Sequence, residues 1–105
     1  MQNTPFSPIN ITTKAVAEIQ KNLAIKGIPE GYSLRVGIKG STCAGTYLLG
    51  FDKQQTNDEV YKIEDITVFI NKNHLLYVAG VTLDFEEEGN GFTFMKETLH
   101  SLIFD

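Results

Sequence analysis

The chain has 105 residues, the size of one domain, and 42% hydrophobic against 21% charged residues favours a globular core over disorder. A formal net charge of −4, without a block of lysine or arginine, argues against nucleic acid as a partner. Apolar runs fall short of the roughly 18 residues that a membrane-spanning helix needs. A single cysteine and an N-terminus without the regions of a signal peptide lead us to expect a cytoplasmic protein.

The N-terminal part is expected to be an extended lead-in over residues 1–10, followed by one domain over 11–105. Thr12 or Thr13 is a predicted helix cap, because a side-chain oxygen there can accept a free N–H of the first turn. An apolar stripe with a spacing of four predicts the helix itself, and its members are Ile11, Ala15, Ile19 and Leu23. Gly27 suits the C-terminal position just beyond this helix.

The middle of the chain alternates between apolar and polar residues, which is typical of strands. The predicted strands span residues 34–39, 46–51, 60–63, 66–70, 81–86 and 91–95. A polar loop is expected over 52–59, a turn at Glu64-Asp65 and a short helix near 73–79 that stops at Gly80. Ile11, Ile19, Leu23, Val36, Ile38, Leu83 and Phe85 are expected to be largely buried.

The C-terminal residues 95–104 show helical spacing of Met95, Leu99, Leu102 and Ile103. We therefore expect a C-terminal helix that packs on the domain or on a second chain. The order of elements predicts a single α+β domain, with a mixed β-sheet core flanked by the N-terminal helix, the short middle helix and the C-terminal helix.

Cys43 is the chain's only cysteine and follows Gly40-Ser41-Thr42 between two predicted strands. A thiol in a loop next to glycines is placed to meet a metal, an electrophile or another thiol. The alternative is a small buried hydrophobic residue, and the sequence leaves both interpretations open. One thiolate cannot hold an iron–sulfur cluster alone, since such clusters usually have four cysteine ligands.

The order of several segments resembles the A-type iron–sulfur carrier family, whose members are HesB-like proteins. The resemblance runs from about Ile11 to Phe94. It includes Leu34-Arg35-Val36-Gly37 before the cysteine loop and Asn71 before a Leu-rich short helix. Its strongest segment is Leu83-Asp84-Phe85-Glu86-Glu87-Glu88-Gly89, closed by Gly91-Phe92-Thr93-Phe94.

The resemblance implies a HesB-like fold and a link to iron–sulfur cluster assembly, with Cys43 as the residue that matches the family's loop ligand for iron or a cluster. It implies iron–sulfur assembly proteins and a second copy of the chain as partners. The family's C-terminal Cys-Gly-Cys pair is absent, and its thiols would fall near Ile103 and Asp105. Thr42 and Ala44 also stand where the family usually has glycine and serine.

The remaining polar candidates favour ordinary surface roles. Glu97 and His100 have the spacing of di-iron ligands, but matching ligands from other helices are lacking and a solvated face explains them better. His74 is expected at the surface or in the capping region of the short helix. Glu86-Glu87-Glu88 is expected to be a solvated strand end, because successive carboxylates along a strand point to opposite faces.

Three functions follow from these residues. The first is an iron–sulfur assembly or iron-carrier-like protein with a degenerate ligand set, whose cluster binding is weak or absent in the isolated chain. The second is a non-enzymatic binding or regulatory module that kept the fold and lost the cluster. An enzyme with Cys43 as nucleophile is disfavoured, since nothing in the sequence brings His74 or His100 to the thiol as a base.

Overall fold

The computed structural model describes residues 7–25, 27–40, 46–89 and 91–96. In chain order the elements are β1 (Asn10–Ile11), α1 (Thr13–Ile25), β2 (Tyr32–Lys39), β3 (Thr46–Lys53), β4 (Asp58–Ile63), β5 (Ile66–Asn71), α2 (Leu75–Val78), β6 (Val81–Glu86) and β7 (Gly91–Lys96). They form two sheets and two helices, which confirms the α+β class. Within these residues, neither helix is long and apolar enough to cross a membrane.

The larger sheet has four strands in the order β3-β2-β5-β4. β2 and β3 are antiparallel and paired from Tyr32↔Lys53 to Lys39↔Thr46, whereas β2 and β5 are parallel and pair only at Leu34↔Val68 and Arg35↔Phe69. β4 and β5 form the predicted hairpin. Its turn residues Glu64 and Asp65 have φ of 52° and 69°, the left-handed conformation that matches the twist of a two-residue hairpin.

The smaller sheet has three strands in the order β1-β6-β7, with β1 parallel and β7 antiparallel to β6. Ile11 pairs with Leu83 in this sheet, so its assignment to the helical stripe is wrong. The two sheets meet through apolar side chains, as in the contact between the Tyr47 and Phe94 rings, whose centroids are 5.0 Å apart. Strand periodicity predicts which face is buried but carries no information about the number of sheets.

The helix α1 begins as predicted, with Thr12 rather than Thr13 as the cap. The backbone N–H of Ala15 donates to Thr12 Oγ1 at 3.2 Å. The Thr12 hydroxyl in turn donates to Asp84 Oδ1 at 2.7 Å, which joins the start of the helix to β6. The pKa of Asp84 lies below its usual value, mainly because of this hydrogen bond. The backbone N–H of Phe85, which also donates to Asp84, lowers that pKa further.

The core lies between the helix and the two sheets. Of the residues expected to be largely buried, five are: Ile11, Ile19, Val36, Leu83 and Phe85. Leu23 and Ile38 are only partly buried and pack against the edge of the core. Both lie near the ends of their elements, α1 and β2, where fewer neighbours cover a side chain.

The C-terminal part differs from the expectation where it is described. Met95 belongs to β7 and is 60% exposed, so it is not the first residue of a helix. Its apolar partners in the predicted stripe lie outside the described residues, and the third helix is not confirmed. The polar segment 52–59 also shortens to 54–57, because β3 extends to Lys53 and β4 starts at Asp58.

Candidate functional site on the β2–β3 hairpin

Cys43 lies outside the described residues, in the segment 41–45 that connects β2 to β3. The structure describes both ends of this connection. Lys39 pairs with Thr46 as the last pair of the antiparallel ladder, and Gly40 follows with a φ of 93° that glycine adopts without strain. The predicted strand–loop–strand setting is therefore confirmed at its two strands.

His74 is the residue whose position the sequence did not predict. It is the N-cap of α2, as expected for the capping region, but its side chain turns toward β2 and is half-buried. The backbone N–H of Ile38 donates to His74 Nδ1 at 3.3 Å. A contact between residues so far apart in sequence leaves no local signal, although the glycine at position 37 is consistent with a close neighbour.

The turn before α2 explains how His74 reaches β2. Asn71 ends β5, and its Oδ1 accepts the N–H of Asn73 at 2.8 Å while its carbonyl oxygen accepts the N–H of His74 at 2.8 Å. Asn71 thus shapes the turn before α2, but the N-cap of that helix is His74. The short helix that follows lies against β2.

Arg35 is the centre of the main cluster of charges among the described residues. Its Nη atoms donate to both Asp58 oxygens at 2.8 and 2.6 Å, and its Nε donates to Asp52 Oδ2 at 2.7 Å. Phe69 lies under the guanidinium, with 5.9 Å from Cζ to the ring centroid. The pKa of Asp58 lies below its usual value, mainly because Arg35 donates hydrogen bonds to it. The pKa of Asp52 is also lowered, first by a hydrogen bond from the backbone N–H of Lys53 and then by the one from Arg35. These ion pairs join β2 to β3 and to the start of β4.

The acidic run at the end of β6 is exposed, in agreement with a solvated strand end. Glu86, Glu87 and Glu88 line a shallow cleft together with Lys14. Within the described residues, His, Cys, Asp and Glu side chains do not form a group of three that could hold a metal ion. Glu97 and His100 lie outside those residues, and their interpretation as a solvated face stays a prediction.

The chain matches the family "Iron-sulphur cluster biosynthesis" over residues 7–99 and belongs to it. The resemblance drawn from the sequence is thereby confirmed, and so is the link to iron–sulfur cluster assembly.

Individual relatives agree with this assignment. The chain is 36% identical to the iron-binding protein IscA of Enterobacter sp. (strain 638) over 90 residues, covering 82% of each chain. The crystal structure of Escherichia coli SufA, involved in biosynthesis of iron-sulfur clusters, superposes with a TM-score of 0.72 and 21% identity over 93% of this chain and 91% of that one. A crystal structure of IscA with the [2Fe-2S] cluster superposes with a TM-score of 0.63 and 20% identity. The match covers 84% of this chain and 81% of that one. The two structural matches support the fold alone.

Proposed function

We propose that this protein carries iron or an iron–sulfur cluster as cargo, with Cys43 as the one thiolate that each chain supplies. The observation that supports the proposal is the position of Cys43: it lies on the β2–β3 hairpin of a chain that belongs to the iron–sulphur cluster biosynthesis family. The role is that of a carrier and not of a catalyst.

The donor set of one chain is incomplete for a cluster. Four thiolates are usual, and with a single cysteine per chain a homodimer offers two. Glutathione, cysteines of a partner, or oxygen and nitrogen ligands must then complete the set. We therefore propose that the isolated protein binds its cargo weakly or not at all, and that assembly proteins or a second copy of the chain complete the site. A thiol that must stay reduced also suits the cytoplasm.

The proposal is tested by anaerobic reconstitution with iron and sulfide, measuring iron per chain and visible absorbance with and without glutathione. Under conditions in which the wild type binds iron, Cys43→Ala should lose most of that iron, because no other thiolate exists in the chain, while the melting temperature stays nearly unchanged. Ser41→Ala is the matched control from the same loop and should retain wild-type binding. Full iron retention in Cys43→Ala would contradict the proposal, with Glu97 and His100 the next pair to replace.

The tail favours a second candidate function. Residues 97–105 contain no cysteine where the family has its Cys-Gly-Cys pair, which is the pattern expected of a module that kept the fold and lost the cargo. A wild-type protein that stays colourless and iron-free, even with glutathione present, would favour this binding or regulatory module. A stable, fully occupied cluster in the purified protein would refute the degenerate ligand set.

A further inference from the structure

The side chain of His74 connects the start of the short helix α2 to the strand β2. It is half-buried, and the backbone N–H of Ile38 donates to its Nδ1 at 3.3 Å. Nδ1 can accept this hydrogen bond only when it carries no proton, which leaves the proton of the neutral ring on Nε2. The contact therefore belongs to one charge state of the imidazole, the neutral one.

Gly37 lets the ring come so close to β2. A Cβ atom built at position 37 would lie 2.8 Å from His74 Nδ1, closer than real Cβ contacts come. A proton added to Nδ1 would point toward the N–H of Ile38, and both nitrogens would then be donors. Two donors cannot form a hydrogen bond with each other, so protonation of the ring removes its bond to the strand.

The charges on this face of β2 oppose a further positive charge. Alternate residues of a strand share a face, so Arg35 and Lys39 lie on the face that the ring contacts. The carboxylates beside them, those of Asp52 and Asp58, are already paired with Arg35. Lys72 adds a positive charge two residues before His74, and α2 itself, Leu75–Val78, is uncharged. The positions on the same face of β3 and β5 are uncharged as well: Thr46, Leu48, Gly50, Phe69 and Asn71.

We propose that His74 makes the contact between α2 and β2 dependent on pH. Histidine is the side chain whose charge changes between pH 5 and 8. Above that range the ring is neutral and Ile38 has its acceptor, although β5 pairs with β2 only at Leu34 and Arg35. As the pH falls, the ring is protonated and this link between helix and strand is lost. The inference goes beyond the proposed function, because neither state of the ring requires cargo.

Amide hydrogen exchange of the full chain, followed by NMR at about pH 7.5 and about pH 5, tests this dependence. Each rate is divided by the intrinsic exchange rate at that pH to give a protection factor. The protection of Ile38 should fall by about tenfold at the lower pH, since one local hydrogen bond is lost. Thr12, whose N–H donates to the carbonyl oxygen of Leu83 at 3.0 Å in the smaller sheet, is the internal control and should keep its protection.

Substitutions at the two ends of the contact separate the ring from other groups. His74→Asn keeps an oxygen near the position of Nδ1 but cannot be protonated in this range, so Ile38 should stay protected at both pH values. His74→Leu removes the acceptor and should give low protection at both. Gly37→Ala displaces the imidazole and should resemble His74→Leu, which it replaces in the test if that variant does not fold.

Equal protection of Ile38 at the two pH values in the wild type would overturn the proposal. A decrease of the same size in His74→Asn would also overturn it, because another titrating group would then be responsible. A loss of protection at Thr12 together with Ile38 would attribute the change to acid unfolding of the whole domain and would equally count against a local contact.

Discussion

Replacing Asp58 by alanine should lower the free energy of unfolding by about 3 kcal/mol, near the lower end for removing one partner of a buried ion pair. The Asp58 side chain is 0% exposed and that of Arg35 is 17% exposed. The variant therefore leaves the largely buried guanidinium of Arg35 with one neighbouring carboxylate instead of two. Arg35 still keeps Asp52, which limits the loss. Asp58 also accepts the N–H of Gln55 at 2.7 Å, and the turn before β4 loses this bond as well.

Urea denaturation with linear extrapolation measures this change. Asp52→Ala is the matched control, because Asp52 is the more exposed partner at 33% and Gln55 and Lys53 contact it only at the surface. Asp52→Ala should lower the free energy of unfolding by less than about 1 kcal/mol, which is the range of an exposed ion pair. An equal decrease in the free energy of unfolding in the two variants would show that the burial of Asp58 does not make its ion pair with Arg35 more stabilising than that of Asp52.

The same cluster should make the protein sensitive to acid. The folded-state pKa of Asp58 lies below its value in the unfolded chain, mainly because Arg35 donates to it. Its contribution to stability is therefore present above the unfolded pKa of about 3.9 and is lost as the pH falls through the lower folded value. Asp58→Asn should flatten the loss of stability below about pH 4. An unchanged acid profile in that variant would show that other carboxylates dominate.

Ile19→Ala should lower the free energy of unfolding by about 2–5 kcal/mol, because the side chain is completely buried where α1 meets the core. Leu23, one turn later on the same helix, is only partly buried, so Leu23→Ala should cost about 1–2 kcal/mol. Ile25 ends the helix and is 67% exposed, and Ile25→Ala is the surface control, with an expected change within about 0.5 kcal/mol.

Chemical denaturation of the three variants gives a graded test of how α1 is oriented. The predicted order is Ile19, then Leu23, then Ile25, and it follows from burial along one helix and not from residue type. A cost for Ile25→Ala equal to that for Ile19→Ala would mean that the helix faces the core differently, or that a partner chain covers its end.

Much of the fold could be predicted because its signals are local. The cap of α1, the turn between β4 and β5 and the strand faces follow from residues close together in sequence, as Thr12 and Glu64-Asp65 illustrate. The division into two sheets could not be predicted, since it depends on parallel pairings such as Ile11↔Leu83 between distant segments. The spacing of four places Ile11 in the helical stripe, but this spacing also fits a strand residue that lies just before the helix.

The candidate site was predictable only in part. The sequence itself identifies Cys43 and the two strands beside it, and the order of motifs indicates the family. The neighbourhood of the hairpin was not predictable, because His74 reaches Ile38 across the sheet edge without any motif between them. The role of Cys43 as a ligand stays a prediction, as does the packing of the apolar tail.

The pairing of β1 with β6 has a consequence for how the chain folds during synthesis. Strands β2 to β5 are close in sequence, so the larger sheet can form while the ribosome still holds the C-terminal part. β1 must wait for β6, and the bond from Thr12 to Asp84 spans 72 residues. The start of the domain thus closes onto its last third in a late step. Until then, an emerging chain leaves the side chains of Ile9 and Ile11, which are buried in the folded domain, without the residues that cover them.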